Sequence, residues 1–224
     1  MSEILFERST SFTGFFTKTL TKMFVGLLIS AVVGYATYAS GLWITIYFNS
    51  ALHLGILFGS IATILLINFL YHRLNSTLLM VAFYVYAALF GLVSGIYPVV
   101  YGLGNIYVAF ALSALMFGGM VVVGHTTKVD LTKFSSFFLI GLIMLIVTSL
   151  VAVIFRLSFL EGIICFFGIV LFLGITAFDV QRFKELYRME YDEESKLTTM
   201  AALHLYMDFI NIFIYVLRFL GRRD

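Results

Sequence analysis

The chain has 224 residues, of which 62% are hydrophobic and only 12% charged, with a formal net charge of +2 at pH 7. Soluble domains carry about 25% charged residues, so this composition, with its mean hydropathy of +1.05, excludes an ordinary soluble globule and points to a chain folded in lipid. The basic residues are scattered and form no stripe that could follow a phosphate backbone, which argues against a nucleic-acid partner, and the single cysteine rules out an internal disulfide.

A helix needs roughly 20 apolar residues to cross the hydrocarbon core. Cutting the sequence at its polar breaks predicts seven spans, at 23–46, 51–70, 77–101, 107–124, 135–155, 161–180 and 199–220. The first run is long and lacks a small-residue cleavage pattern, so it does not read as a signal peptide and the N-terminus is expected to be retained. In the third span Gly91 and Gly95 form a GxxxG, and Gly118, Gly119 and Gly124 give the fourth a related small-residue face. Both read as close helix packing. Between the fourth and fifth spans, 126–133 reads as a turn in which Asp130 or Thr132 caps the next helix, and His125 with Asp130 lacks the further ligands a zinc site needs. Cys165 lies mid-span among apolar residues and reads as packing. Connections are short, with no internal repeat, so 1–224 is expected to be a single transmembrane domain.

Lys and Arg collect in cytoplasmic loops. With the N-terminus inside, that side holds Arg8, Lys18, Lys22, Arg73, Lys128, Lys133, Arg182, Lys184, Arg188 and Lys196, against Arg156, Arg218, Arg222 and Arg223 opposite. An inside N-terminus is therefore expected. The arginines at the end oppose it and leave open a last helix that dips into the membrane and returns.

Two carboxylates break the apolar pattern: Asp179 in LFLGITAFDVQRFK and Asp208 in LHLYMDFINIFIYVLRFLG. A charge at a transmembrane helix centre costs at least ~2.5 kcal/mol on insertion scales, so it marks a site by default. The most polar point between the last two runs is Asp192-Glu193-Glu194-Ser195, with Ser195 a candidate helix cap. If the chain turns there into an antiparallel pair, residues equidistant from the turn share a depth. Asp179 and Asp208 are equidistant from the Glu193–Glu194 bond, so they are expected to be level. His204, Asp208, Asn211 and Tyr215 are spaced by four, three and four residues and form a polar seam on one face of the last helix. Two carboxyl groups close together in low dielectric share a proton and titrate as a pair. The plainer reading satisfies each locally, Asp179 with Arg182 and Asp208 with His204.

Three strings carry a family resemblance: GHTTKVDLTKF at 124–134, GITAFDVQRFK at 174–184 and ALHLYMDFINIFIYVLRFLG at 202–221, with FGLVSGIYPVVY at 90–101 a less sharp fit. They resemble the signature regions of the Bax inhibitor-1 family, the transmembrane Bax inhibitor motif proteins, from about residue 70 onward. Small size and short loops look like the bacterial members. The resemblance implies an all-α integral membrane protein, a seven-transmembrane-helix bundle with the last helix central, that leaks calcium in response to pH. It implies that Asp179 and Asp208 are the pH sensor and ion path, holding calcium weakly and transiently. It also implies that an arginine near the end of the second helix latches the pair, a position that falls on Arg73 when counted back from Gly91. His204, Asn211 and Tyr215 would support the site. Two departures stand out: the second span lacks the acidic residue of some bacterial relatives, and the latch region reads YHRLN where a run of arginines is more usual.

No tightly bound cofactor is expected. Membrane lipids, calcium ions and protons are the expected partners, with the oligomeric state left open, a monomer included. The location implied is the bacterial cytoplasmic membrane, with the endoplasmic reticulum as the alternative. Two other functions compete: a non-conducting regulator that binds membrane proteins, and a proton-coupled cation transporter. An enzyme is not expected, because Asp208 follows Leu205-Tyr206-Met207 and lacks the glycines of intramembrane aspartyl proteases.

Overall fold

A computed structural model of the chain describes residues 2–189 and 193–221, and for residues 2–11 the backbone alone. Asp192, Arg222 and Arg223 lie outside the described residues, as does the side chain of Arg8. Every described element is helical: α1 (Ser2–Ala39), α2 (Leu42–Phe48), α3 (Ser50–Leu70), α4 (Ser76–Ser94), α5 (Tyr97–Tyr101), α6 (Leu103–Thr126), a 3₁₀ turn (Leu131–Phe134), α7 (Ser135–Ile154), α8 (Leu160–Arg188) and α9 (Glu194–Leu220). Among the described residues, 7 segments are long and apolar enough to cross a membrane. The protein is an all-helical membrane protein.

The helix ends depart from the predicted spans for local reasons. The first span runs from Phe12 to Ala39, well before Met23. The Thr- and Lys-rich segment that reads as a polar break is amphipathic: Phe12, Phe15, Thr19 and Met23 recur on one face and are buried. The hydroxyls of Thr17, Thr19 and Thr21 donate to carbonyls four residues back, at 2.8, 3.0 and 2.8 Å, which removes the cost of carrying them in an apolar helix. The span stops short of Ile46 because Gly41 adopts φ 73, in the left-handed region that glycine occupies without strain. Asn49 and Asn75 then cap α3 and α4, each side chain accepting from the backbone N–H three residues on, at 3.1 and 2.8 Å. The third span divides after Ser94, where Pro98 offers no N–H to continue the ladder. At the other end of the chain α8 continues past residue 180 because Gln181 and Phe183 are buried, and α9 begins at Glu194, so Ser195 lies inside its first turn and is not the cap.

The chain packs as two compact units, Met1–Val100 with Tyr187–Tyr206, and Tyr101–Leu186 with Met207–Asp224. In the first, the GxxxG meets α1: a Cβ on Gly91 would lie 2.9 Å from the carbonyl oxygen of Ser30, and one on Gly95 2.6 Å from Thr37. Only glycine admits that approach. Ser30 Oγ donates to the carbonyl oxygen of Ala87 at 2.8 Å and lies 2.6 Å from the hydroxyl of Tyr206, so one buried hydroxyl joins α1, α4 and α9. Lys22 Nζ donates to the carbonyl oxygen of Ser195 and the hydroxyls of Thr198 and Thr199, at 3.1, 2.8 and 2.8 Å, fixing the start of α9 against α1.

In the second unit Gly124 faces the backbone of Ala177, Gly141 faces Leu171, Gly174 faces Phe138 and Gly168 faces the Tyr215 ring, so α6, α7 and α9 each meet α8 at a glycine. Gly118 and Gly119 face open space. The small-residue face of α6 therefore reduces to Gly124. Burial is graded: 67% of the apolar window of α9 is buried and 44% of that of α8, against 6% for α3 and for α7. A helix buried this fully can carry carboxyl groups, which would be costly on α3 or α7.

Candidate functional site: an aspartate pair on α8 and α9

Asp179 and Asp208 both belong to the second unit and each is 4% exposed. The ring pair Phe172 and Tyr215, stacked with centroids 6.0 Å apart, fixes the register of α8 against α9. From Phe172 to Asp179 is seven residues, and from Tyr215 back to Asp208 is also seven. Seven residues make about two helical turns, ~10.5 Å of rise, so each aspartate lies on the face of its own ring residue. Antiparallel helices in that register place the two carboxyl groups at the same level.

The Oδ2 atom of Asp208 is buried and has no hydrogen-bond partner. Buried polar atoms are almost always paired, so an orphaned carboxyl oxygen level with a second carboxyl group is the least expected feature of the unit. Lone pairs without a donor can take a proton or a cation. Two carboxylates fall well short of the six to eight oxygens that calcium prefers, and among the described residues no group of three or more His, Cys, Asp or Glu is set to hold a metal.

The predicted supporting residues are distributed differently. Asn211 turns back on its own helix, Nδ2 donating to the carbonyl oxygen of Met207 at 2.8 Å. Tyr215 stacks on Phe172 over Gly168 and sets register. His204 is part-buried on the portion of α9 that belongs to the first unit. Arg182, the local partner considered for Asp179, is exposed with its guanidinium 5.9 Å from the Phe183 ring centroid. Arg73 is exposed in the turn after α3, where its backbone N–H donates to Leu70, and belongs to the first unit.

Sequence reasoning missed Gln181. Its carboxamide is buried, with Nε2 donating to the carbonyl oxygen of Val129 at 2.8 Å and Oε1 accepting from the backbone N–H of Leu131 at 2.6 Å. Lys184 Nζ donates to the carbonyl oxygen of His125 at 2.7 Å. Asp130 caps the 3₁₀ turn rather than α7, whose N-cap is Phe134 without a side-chain bond: Asp130 accepts from the backbone N–H of Thr132 at 3.0 Å and from its hydroxyl. The strings 124–134 and 174–184 are thus one structure, in which the α6–α7 turn is tied to α8 within two residues of Asp179.

The family model described as "Inhibitor of apoptosis-promoting Bax1" matches residues 13–224. The chain is 37% identical over 213 residues to an uncharacterized protein of Borreliella burgdorferi, covering 93% of this chain and 92% of that one. It is 34% identical to the protein RP147 of Rickettsia prowazekii, with 92% and 88% coverage. It is 31% identical to the inner membrane protein YbhL of Escherichia coli, with 90% and 88% coverage. With the match running from the first span to the C-terminus and taking in both aspartates, the chain belongs to the Bax inhibitor-1 family.

Proposed function

We propose that the protein is a pH-sensitive calcium leak channel in which Asp179 and Asp208 sense pH and line the ion path, with Arg73 as their latch. One observation carries this reading: α8 and α9 each bury a carboxyl group, in a register that puts the two at one level, and one oxygen of Asp208 has no hydrogen-bond partner. Ionised, or sharing one proton, the pair attracts a guanidinium through charge-assisted hydrogen bonds. Protonation removes that attraction and loosens the closure, so flux rises as pH falls. Loose coordination suits a leak, where an ion must leave as readily as it enters. The similarity to YbhL and the excess of Lys and Arg on one side support a bacterial inner membrane with the N-terminus in the cytoplasm.

The test is calcium flux into proteoliposomes holding the purified protein, between about pH 5 and pH 8. Wild type is expected to conduct with a pH dependence that Asp179→Asn with Asp208→Asn abolishes, while Arg73→Ala raises flux at neutral pH. No flux at any pH from folded protein would overturn the channel reading in favour of a non-conducting regulator. Calcium uptake that requires an opposing proton gradient would favour a coupled transporter.

A further inference from the structure

Between Lys22 and Arg73 the sequence holds no Asp, Glu, Lys or Arg. That stretch takes in the first two spans and also what joins them, where a loop in water normally carries polar residues. The connection is α2, LWITIYF, tied to α1 by Ser40 and Gly41 and to α3 by Asn49 alone. A residue spans at most about 3.6 Å, so α2 cannot leave the level at which the two spans end. It is docked there: Ile46 is buried, and the Tyr47 ring packs edge-on against His53 of α3 with centroids 6.2 Å apart.

The other side of α2 is bare. Ile44 and Phe48 lie opposite Ile46 on the helix, and both are exposed, Phe48 to 75%. A helix that is apolar all round belongs in a core or in a membrane, and α2 has protein on one side only. The bare side continues a lipid-facing surface, because Val32 and Tyr35 of α1 and Leu54 and Phe58 of α3 are exposed on the spans that lead into it and out of it. The backbone fits the same surroundings. The amides of Ser40, Gly41, Ile44 and Asn49 donate to carbonyl oxygens of their own segment, at 3.0, 3.1, 3.0 and 3.1 Å, as a chain without water requires. Tyr35, Tyr38, Trp43 and Tyr47 fall at this end of the unit, and such rings settle where headgroups meet acyl chains.

We infer that α2 lies in the membrane itself, at the headgroup boundary of the leaflet where α1 ends, with Ile44 and Phe48 turned into the acyl chains of phospholipid. A second copy of the chain is the poorer occupant, since a helix of 7 residues offers far less than the ~800 Å² per partner that a stable protein contact buries. The inference concerns lipid contact and holds whether or not calcium passes.

Trp43 is the single tryptophan, so its fluorescence reports on α2 in the unaltered protein. The wild type, and Trp43→Phe with Phe48→Trp, are placed in vesicles of phosphatidylcholine brominated near the headgroup end of its acyl chains. Loss of emission relative to unbrominated vesicles is compared with the loss caused by iodide present on both sides of the membrane. The substitution at 48 changes an exposed ring, so it moves the reporter onto the assigned face without disturbing the core. Bromine is expected to remove most of the emission from Phe48→Trp and iodide little of it, with the half-buried Trp43 showing the same order and smaller losses. Emission from Phe48→Trp that iodide removes as readily as bromine would put α2 in water. Emission that neither quencher reaches would mean that protein covers the face. Either outcome would overturn the inference.

Discussion

Gln181 accepts the backbone N–H of Leu131 at 2.6 Å while donating to the carbonyl oxygen of Val129, so one buried side chain holds the α6–α7 turn on both sides of Asp130. Its backbone lies two residues beyond Asp179 on α8. Gln181→Leu would strand both backbone groups, and stranded buried polar groups cost about 1–3 kcal/mol each. Lower thermal stability in detergent is expected, with faster proteolysis of the turn at 127–134. Gln181→Glu keeps the acceptor for Leu131 but sets a carboxylate oxygen against the Val129 carbonyl oxygen in a buried place, so it is also expected to lower stability.

Gly124 and its neighbours on α6 make a sharper contrast. A Cβ on Gly124 would meet the backbone of Ala177, which cannot move aside as a side chain can. Gly124→Ala should force α6 from α8 beside Asp179 and cost about 1–3 kcal/mol, as overpacking does. Gly118 and Gly119 face open space, so alanine there removes only the glycine penalty and should be neutral or stabilising by about 0.5–1 kcal/mol. Thermal unfolding of the three variants, side by side, reads the difference. Equal losses at all three would refute the contact.

These contrasts show what was legible beforehand. The aspartates were visible because a carboxylate inside an apolar run has no bland explanation of equal weight, and equal distances to one polar stretch predicted a common level for them. The start of α1 was hidden because threonines look like a loop until their hydroxyls are seen bonding back along the helix. Gln181 was hidden for a related reason: it sits in QRFKE, a charged-looking stretch, and burial of an amide is decided by a turn some fifty residues earlier. Gly118 and Gly119 look identical to Gly124 in sequence, and only the neighbouring helix separates them.

The two lysines of α1 that reach α9 should differ in weight. Lys18 pairs with Glu194 at 2.6 Å, but both side chains are largely exposed, at 64% and 44%. Exposed pairs contribute little, because water and salt screen them and ordering two long side chains costs entropy. Lys22 makes three hydrogen bonds from a part-buried position, and bonds to a charged donor are worth about 1.5–3 kcal/mol. Lys22→Met is therefore expected to lower stability clearly and Lys18→Met hardly at all. High salt should weaken the Lys18 contact first.

The turn cap gives a pH prediction with a defined sign. The Thr132 hydroxyl, with its backbone N–H and Lys133, holds the Asp130 carboxyl below its ordinary value of 3.8. A folded-state value below the unfolded one means that the cap's contribution is fully present above the unfolded value and is lost as pH falls through the folded one. Titration of Asp130 by carboxyl NMR in nanodiscs should give a midpoint below 3.8. Thr132→Val removes the hydroxyl, the largest cause, and should move that midpoint up. A midpoint that Thr132→Val leaves in place would mean that the hydroxyl does not bond to the carboxylate. Because Asp130 titrates below the range of the proposed flux assay, removal of this cap should leave the pH response of flux unchanged, which separates it from the aspartate pair.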